Sequence, residues 1–142
     1  MKVLVIIPAY NEELSIINTV QKIEDERLEI DYLVINDCST DNTLNILKEN
    51  GINYLSLPIN LGIGGGVQTG YKYADLNNYD IAIQHDGDGQ HDPKYLLDVI
   101  KPIENNEADI VIGSRFLEKQ GFQSSLFSFG SEQASTLRLP TI

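Results

Sequence analysis

The sequence predicts an α/β protein built on a mostly parallel sheet with helices on both faces. Two observations lead to this fold class: five short apolar runs recur along the chain, and segments of helical periodicity separate them. The runs are continuously hydrophobic rather than alternating, which is typical of parallel strands buried on both faces. Because each helix returns the chain to the start of the next strand, this alternation favours a parallel arrangement.

The five predicted strands are short and rich in Val and Ile. They are Val3–Ile7, Tyr32–Ile35, Tyr54–Leu57, Ile81–Gln84 and Ile110–Ile112. Each run is followed at once by polar or glycine-rich residues, so the carboxyl end of each strand is clearly marked.

The first two predicted helices are recognised by an apolar stripe and by a terminating glycine. In the first, four apolar residues recur at helical spacing: Leu14, Ile17, Val20 and Ile23. The second runs over residues 41–50 and stops at Gly51, because glycine commonly ends a helix.

The third predicted helix runs from Gly65 to Leu76, and the fourth opens with Asp92 as N-cap and Pro93 at the first helical position. After Gly113 the pattern fails. The segment 117–142 has no clear period, and we expect a loop or irregular tail there.

The acidic composition limits the classes of partner. With 142 residues and a net charge of −11, the chain is not expected to bind nucleic acid, or anionic lipid through a basic patch. It would also repel a phosphate ligand unless a local positive charge, such as a bound cation, offset the repulsion. No window reaches the roughly 20 apolar residues of a membrane helix. The single Cys38, with no ligand cluster, indicates a reducing compartment, so we expect a cytoplasmic chain without a membrane span.

Polar segments follow all five predicted strands. Ligands of open parallel sheets bind outside the carboxyl ends of the strands, so these segments should converge on one rim. They are 8–12 (Pro-Ala-Tyr-Asn-Glu), 36–41 (Asn-Asp-Cys-Ser-Thr-Asp), 60–66 (Asn-Leu-Gly-Ile-Gly-Gly-Gly), 85–91 (His-Asp-Gly-Asp-Gly-Gln-His) and 113–115 (Gly-Ser-Arg).

Asp86 and Asp88 are the strongest candidates for metal ligands. Two carboxylates two residues apart on an extended segment point the same way, and their repulsion favours a cation between them. Such hard oxygen ligands suit Mg²⁺ or Mn²⁺. Gln90 follows Asp88 by a further two residues, so on an extended segment its side chain would point the same way. The alternative is an acidic, glycine-rich turn without a ligand.

Other rim residues allow two interpretations each. Asp37 could accept hydrogen bonds from a base or ribose, or could close its own loop as an Asx-turn. The glycine run 62–66 could let the backbone approach a phosphate, but it matches neither the Walker pattern nor the dinucleotide fingerprint. Arg115 could pair with phosphate or be a solvated surface charge. Asp41 and Asp92 are expected to cap helices.

These motifs, in this order, resemble those of the inverting glycosyltransferase family 2, which has the GT-A fold. The resemblance covers about residues 1–116 and implies a Rossmann-like nucleotide-sugar-binding half over that range. Two segments, 86–91 (Asp-Gly-Asp-Gly-Gln-His) and 113–116 (Gly-Ser-Arg-Phe), are most similar to the branch of dolichyl- and undecaprenyl-phosphate sugar transferases.

The resemblance also implies roles for individual residues. Donor binding would fall to Pro8, Ala9, Tyr10, Glu12, Asp37, Asn60, Gly62, Asp86 and Arg115. The metal, Mg²⁺ or Mn²⁺, would be bound by Asp86, Asp88 and Gln90. The reaction would be a single displacement with inversion, from a UDP- or GDP-linked sugar to an acceptor such as a polyprenyl phosphate. That acceptor is already anionic and needs no strong base, whereas a hydroxyl acceptor would need one.

The chain departs from the family pattern after about residue 116. Family members continue further to build the acceptor wall, often with membrane-associating helices, so we expect the acceptor half to be missing here. The parent protein would then work at the cytoplasmic face of a membrane. A non-catalytic nucleotide-sugar-binding domain is the alternative, and a nucleotidyltransferase, which would carry a basic glycine-rich loop after the first strand, is a third. The base, the sugar, the catalytic base and a homo-oligomeric state stay open.

Overall fold

The computed structural model describes residues 1–26, 28–88, 92–113 and 135–139. The strands are β1 (Val3–Ala9), β2 (Asp31–Asn36), β3 (Tyr54–Ser56), β4 (Ile81–Gln84), β5 (Ile110–Ile112) and β6 (Ser135–Arg138). The helices are α1 (Ile16–Asp25), α2 (Thr43–Glu49), α3 (Gly62–Leu76) and α4 (Leu96–Glu104), with a 3₁₀ turn over Pro93–Tyr95 before α4. Strand and helix alternate from β1 to β5, which confirms the predicted fold class.

The described strands form one sheet in the order β3-β2-β1-β4-β6-β5. β1 pairs in parallel with β2 and β4, and β2 pairs in parallel with β3. β6 pairs antiparallel with both β4 and β5, so β5 runs in the same direction as the first four strands. The carboxyl ends of β1 to β5 therefore lie on one side of the sheet, as the sequence predicted.

Two apolar clusters cover the two faces of this sheet. Successive side chains of a strand point to opposite faces, and β1 divides its residues accordingly. Val3, Val5 and Ile7 pack with residues of α1, α2 and α4, while Leu4 and Ile6 pack on the α3 side. Helices on both faces are thereby confirmed, and β1 is buried between them.

The buried face of α1 differs from the predicted stripe. The buried residues of the helix are Ile16, Thr19, Val20 and Ile23. Leu14 lies in the turn before the helix and is 95% exposed, so its placement on the buried stripe was wrong. The Glu12 carbonyl already accepts hydrogen bonds from the N–H groups of Ser15 and Ile16, which sets the phase of the helix.

α3 begins at Gly62, three residues earlier than predicted, so the run 62–66 is its first turn rather than a preceding loop. The side chain of Asn60 accepts a hydrogen bond from the Gly62 N–H at 3.0 Å. This local bond closes a turn just before the helix and explains the early start.

β6 corrects the prediction of a loop or irregular tail over residues 117–142. Residues 135–138 of that segment form a strand between β4 and β5, and Thr136 and Leu139 are buried. The four-residue strand is too short for a periodic signal, and its pairing partners are distant in sequence. The division of the chain into 1–116 and 117–142 stays a prediction.

The described helices are short. α3, with 15 residues, is the longest of them. At about 1.5 Å per residue it extends about 22 Å, less than the roughly 30 Å hydrocarbon core of a bilayer. Within the described ranges, no helix has both the length and the hydrophobicity to cross a membrane.

Gly70 sets how closely α3 approaches β1. A Cβ at this position would lie 2.3 Å from Cγ2 of Ile6, a fully buried β-branched side chain with little rotamer freedom. Gly70→Ala should therefore lower the free energy of unfolding by about 1–3 kcal/mol, although alanine is the better helix former. Urea denaturation followed by circular dichroism measures the change.

Gly64→Ala is the matched control on the same helix. A Cβ at Gly64 would meet nothing within 4 Å. We expect no loss of stability, or a gain of up to about 1 kcal/mol from helix propensity. An equal loss for both variants would contradict the close packing of α3 on β1.

Candidate functional site

A cleft of about 400 Å³ opens at the carboxyl ends of β1, β2 and β4. Its lining contains all the described residues that the sequence predicted as donor or metal ligands: Pro8, Ala9, Tyr10, Glu12, Asp37, Asn60, Gly62, Asp86 and Asp88. Two further predicted residues, Gln90 and Arg115, lie outside the described residues. The lining comes from four separate segments, and the parallel sheet is what brings them together.

Reciprocal hydrogen bonds fasten the loop after β1 to the loop after β2. The Asn11 Oδ1 accepts from the N–H groups of Thr40 at 2.8 Å and Asp41 at 3.3 Å. In return, Ser39 Oγ accepts from the Asn11 N–H at 3.0 Å. Each loop therefore supplies acceptors for the backbone donors of the other, and their relative position is fixed.

We call this set of hydrogen bonds between the loop after β1 and the loop after β2 the interlock, and it continues to the start of α2. The N–H of Glu12 donates to Thr43 Oγ1 at 2.9 Å, and the N–H of Glu13 donates to the Asp41 carboxylate at 3.2 Å. The Glu13 carboxylate accepts from the Asn42 N–H at 2.9 Å. Asp41 also accepts from the Thr43 N–H at 2.9 Å, so it satisfies a free donor at the helix start as predicted.

The ionisation of Asp41 contributes to this interlock. Burial opposes the charged form, but hydrogen bonds from the Thr43 side chain and from the backbone N–H groups of Thr43 and Glu13 outweigh it, so the pKa of Asp41 is lowered. A carboxylate with a lowered pKa stabilises the fold above its ordinary pKa, and this contribution is lost as pH falls through the lowered value. The interlock should therefore persist at neutral pH and loosen only in acid, below the ordinary titration range of an aspartate.

Two residues of the interlocked loops have left-handed backbone: Asn11 at φ 56° and Cys38 at φ 58°. Asparagine tolerates this region because its short side chain forms local hydrogen bonds, whereas cysteine has no such advantage. Strain of this kind costs about 1–3 kcal/mol and persists only where the surroundings impose it. The neighbouring Asp37 and Ser39 are held by hydrogen bonds to the last residue of β1 and to the loop after it, which accounts for the conformation of Cys38.

Asp37 lies in the cleft with only 3% of its surface exposed. Its N–H donates to the Ala9 carbonyl at 2.9 Å, and its Oδ1 accepts from the Leu61 N–H at 2.7 Å. Asn60 Nδ2 donates to the Asp37 carbonyl at 3.2 Å. Among the described residues nothing donates to the second carboxylate oxygen, so Asp37 can both hold the loop at 60–61 and accept a bond from a ligand.

The loop after β4 brings two carboxylates to the cleft. Asp86 is half-buried, and its Oδ1 accepts from Gln84 Nε2 at 3.3 Å, while Asp88 is exposed. Gly87 and Asp88 form a turn, not the extended segment assumed from the sequence. A Cβ on Gly87 would lie 2.9 Å from the Pro8 carbonyl oxygen, so glycine is required for the turn to lie against β1.

The described part of the cleft fits a divalent cation that is shared with a ligand. No three His, Cys, Asp or Glu side chains of the described residues converge on a metal-sized site. Mg²⁺ is commonly held by one or two carboxylates, with water and substrate phosphates at the remaining positions. Asp86 and Asp88 match that donor set, and Mn²⁺ prefers the same oxygen ligands.

The N-terminus of α3 is a weaker source of positive potential at the cleft. Gly62, Ile63 and Gly66 line the cleft, and the first turn carries no acidic residue. A helix terminus stabilises an anion by about 0.3–1 kcal/mol, whereas a Lewis-acid cation supplies several kcal/mol. The cation should therefore dominate the binding of a phosphate ligand.

Three residues that shape the site escaped sequence prediction: Asn11, Thr19 and Thr43. Asn11 lies inside the predicted 8–12 segment but acts by fastening two loops. Thr19 and Thr43 are buried in helices, and Thr19 Oγ1 donates to the Gly87 carbonyl at 3.0 Å. For Thr19 and Thr43, the only sequence signal of such a role was a polar side chain on an otherwise apolar helix face.

A second cavity, of about 350 Å³, lies at the amino ends of β1, β2 and β3 and lacks paired carboxylates. Four tyrosines line it: Tyr32, Tyr54, Tyr73 and Tyr79. Burial and a carboxylate acceptor, Asp31, raise the pKa of Tyr79 to about 12, so its hydroxyl stays a donor to Asp31 at 2.8 Å. Asp31 is the one carboxylate among the described lining residues, so this cavity does not match the predicted chemistry.

The family model for glycosyl transferase family 2 matches residues 4–127 of the chain. The chain belongs to this family. The matched range includes every segment of the cleft, together with Gln90 and Arg115. The predicted recognition is thus confirmed.

Curated relatives of this family member include two polyprenyl-phosphate enzymes. The UDP-N-acetylglucosamine–dolichyl-phosphate N-acetylglucosaminyltransferase of Methanococcus voltae is 35% identical over 136 residues, covering 84% of this chain and 54% of the relative. The undecaprenyl-phosphate mannosyltransferase of Micrococcus luteus is 33% identical over 120 residues, covering 81% and 49%. The chain spans about half the length of each of these two relatives.

Solved structures of GT-A glycosyltransferases share the fold. TarS 1–349 of S. aureus, in complex with UDP-GlcNAc, matches with a TM-score of 0.64 and 26% identity, covering 90% of this chain and 38% of that one. Glucosyl-3-phosphoglycerate synthase of Mycobacterium tuberculosis, with Mn²⁺, UDP-glucose and phosphoglyceric acid, matches with a TM-score of 0.62 and 21% identity, covering 77% and 42%. Both likenesses confirm the GT-A fold.

Asn11→Ala tests the interlock of the two loops. The variant loses the acceptor for Thr40 and Asp41 and places a Cβ-bearing residue without a local hydrogen bond at φ 56°. We expect the free energy of unfolding to fall by about 2–3 kcal/mol, and Asn11→Gly, which relieves the backbone, to lose about 1–2 kcal/mol. Guanidinium denaturation measures both changes.

Asn45→Ala is the control for the interlock. Asn45 is an exposed residue of α2 whose amide donates to Asn42 at 2.9 Å on the same helix end. The free energy of unfolding should change by less than about 0.5 kcal/mol. If Asn11→Ala lost no more than this control, the interlock would not stabilise the fold.

Proposed function

We propose that the protein transfers a sugar from a nucleotide diphosphate sugar to an acceptor, with inversion, and with Mg²⁺ or Mn²⁺ as cofactor. One observation carries the proposal: nine predicted residues from four separate segments line one cleft. Membership of glycosyl transferase family 2 supports the same class of reaction.

The nucleotide would lie against the interlocked loops after β1 and β2. The second carboxylate oxygen of Asp37 is available to a base N–H or a ribose hydroxyl. Tyr10, 47% exposed at the cleft, offers a ring face against which a base can stack. Because hydrogen bonds already fix both loops, little ordering would be needed when the nucleotide binds.

The diphosphate would lie towards the loop after β4. Asp86 and Asp88 would hold the cation, with Gln90 as a further ligand, and Arg115 would pair with a phosphate. When bound, the cation neutralises the charge that develops on the diphosphate leaving group. Asn60 and Gly62 would border the donor on the side of α3.

The chemistry is a single displacement at the anomeric carbon. An acceptor oxygen forms a new bond to this carbon on the face opposite the diphosphate, while the bond to the nucleotide diphosphate breaks, so the configuration inverts. A phosphate acceptor is already anionic and needs no base from the protein. A polyprenyl phosphate is the proposed acceptor, because two relatives are named for transfer to dolichyl phosphate and undecaprenyl phosphate.

Further properties follow from that acceptor. The protein would work at the cytoplasmic face of a membrane, where a polyprenyl phosphate presents its headgroup. A UDP-linked donor is favoured, since the Methanococcus voltae relative is named for UDP-N-acetylglucosamine and the S. aureus structure holds UDP-GlcNAc. A GDP-linked donor and a homo-oligomer are the open alternatives.

Asp88→Ala tests the proposed cation site. Titration calorimetry of the full chain with UDP and Mn²⁺ should show affinity lower by at least about 10-fold, because even loss of a residue that only orients a metal ligand costs about 10- to 100-fold. In EDTA the UDP affinity should stay unchanged. Asp98→Ala is the control, since it removes the same charge from an exposed position on α4 that is 3.6 Å from Lys101. Unchanged Mn²⁺-dependent binding in Asp88→Ala would exclude Asp88 as a ligand.

Transfer itself is tested with a UDP-linked sugar, Mn²⁺ and a short polyprenyl phosphate in detergent. We expect a glycosyl phosphate product with the anomeric configuration opposite to that of the donor, as read by nuclear magnetic resonance. Retention of configuration would contradict the single displacement. Mn²⁺-dependent UDP binding without transfer or donor hydrolysis would instead support the alternative, a nucleotide-sugar-binding domain without catalysis.

A further inference from the structure

Thr19 lies where α1 meets the turn after β4. Its side chain is on the buried face of the helix, with 1% of its surface exposed. Its Oγ1 lies 3.0 Å from the Gly87 carbonyl oxygen and 3.1 Å from that of Ser15, four residues back in the chain. The hydroxyl has one proton, and the Gly87 carbonyl is the nearer of these two acceptors. Since a helical threonine can satisfy its hydroxyl within the helix, the contact with Gly87 is not one that Thr19 itself requires.

The backbone conformation of Gly87, in contrast, depends on the residues packed around it. The residue is buried, and the space beside it is so narrow that a Cβ would lie 2.9 Å from the Pro8 carbonyl oxygen. β1 thus limits one side of the turn, and Thr19 supplies a donor on the other. Glycine has wide backbone freedom, and rotation of the peptide between Gly87 and Asp88 would reorient Asp88 relative to Asp86.

The helix that carries Thr19 is itself fixed at the cleft. The Glu12 carbonyl accepts from the N–H groups of Ser15 and Ile16 at 3.1 and 3.0 Å, and the Glu12 N–H donates to Thr43 at 2.9 Å. Thr19 is one helical turn beyond Ser15. α1 therefore links the loop after β1 to the turn after β4.

We propose that Thr19 is a positioning residue for the cation site. Its hydroxyl, by donating to the Gly87 carbonyl, sets the orientation of the Gly87–Asp88 peptide and with it the placement of Asp86 and Asp88 around a shared divalent cation. The inference rests on the proposed function, because it requires a cation at these two carboxylates. The described hydrogen bond of Thr19 in this turn goes to Gly87, so Thr19 would act through that residue.

The test compares Thr19→Val, which removes the hydroxyl at nearly constant shape, with Thr19→Ser, which keeps it. UDP affinity of the full chain is measured by calorimetry in Mn²⁺ and in EDTA. Thr19→Val should weaken the Mn²⁺-dependent binding by about 10- to 100-fold, as loss of a partner that orients metal ligands commonly does. Its affinity in EDTA should not change, and Thr19→Ser should restore the Mn²⁺ effect.

Thr69→Val is the matched control. Thr69 lies in α3, and its hydroxyl donates at 2.8 Å to the carbonyl of Gly65, four residues back, without a described partner in another loop. This variant loses the same kind of helical hydrogen bond as Thr19→Val. Its UDP affinity should respond to Mn²⁺ as in the unsubstituted chain.

Two results with folded Thr19→Val would count against the proposal. If Thr19→Val binds UDP in Mn²⁺ as tightly as the unsubstituted chain, or loses affinity equally in Mn²⁺ and EDTA with a lower melting temperature, Thr19 has only a structural role. If Thr19→Val does not fold, the pair Thr19→Ser and Thr19→Ala decides the same question. Absence of Mn²⁺-dependent UDP binding in the unsubstituted chain would overturn the proposed function itself, independently of Thr19.

Discussion

The carboxyl end of β1 is the structural element on which the geometry of the cleft depends. The Ala9 carbonyl accepts the Asp37 N–H at 2.9 Å, and the Pro8 carbonyl limits the approach of Gly87. The first turn of α3 lies against the same proline, since a Cβ on Gly66 would be 3.8 Å from Pro8 Cβ. β1 is paired on both edges and buried on both faces, so three cleft segments are positioned by the most constrained strand of the sheet.

The electrostatics of the cleft explain why a cation is part of the proposal. Its described lining contains four carboxylates, Glu12, Asp37, Asp86 and Asp88, and neither Lys nor Arg. A net charge of −11 adds to the repulsion of any diphosphate. The dipole of α3 is too weak to offset these charges, whereas a divalent cation between Asp86 and Asp88 acts where the phosphates would lie. Asp37, held by the Leu61 N–H, is better suited to the uncharged part of a nucleotide.

The sequence was sufficient for the first five strands and for the four rim segments that line the cleft, because both depend on local signals. Continuous apolar runs located β4 and β5 to the residue, and polar residues directly after the strands converged because parallel strands end on the same side. Features that depend on tertiary contacts were not predictable. The phase of α1 is set by the Glu12 carbonyl, and β6 by pairing with two distant strands. Thr19 acquires its role only through Gly87, 68 residues further along the chain.

The positions of these contacts bear on how the proposed donor site could serve different acceptors. Pro8 and Ala9 are adjacent, so the contacts that place Gly87 and Asp37 are set by two successive peptide units at the end of β1. This arrangement fixes the distance between the proposed nucleotide and diphosphate positions, which is the same in every nucleotide diphosphate sugar. The relatives that share this half are named for different acceptors, dolichyl phosphate and undecaprenyl phosphate among them, and the match covers about half of each. Under the proposed function, the contacts that set this spacing lie within the chain itself, so they do not depend on which acceptor is used.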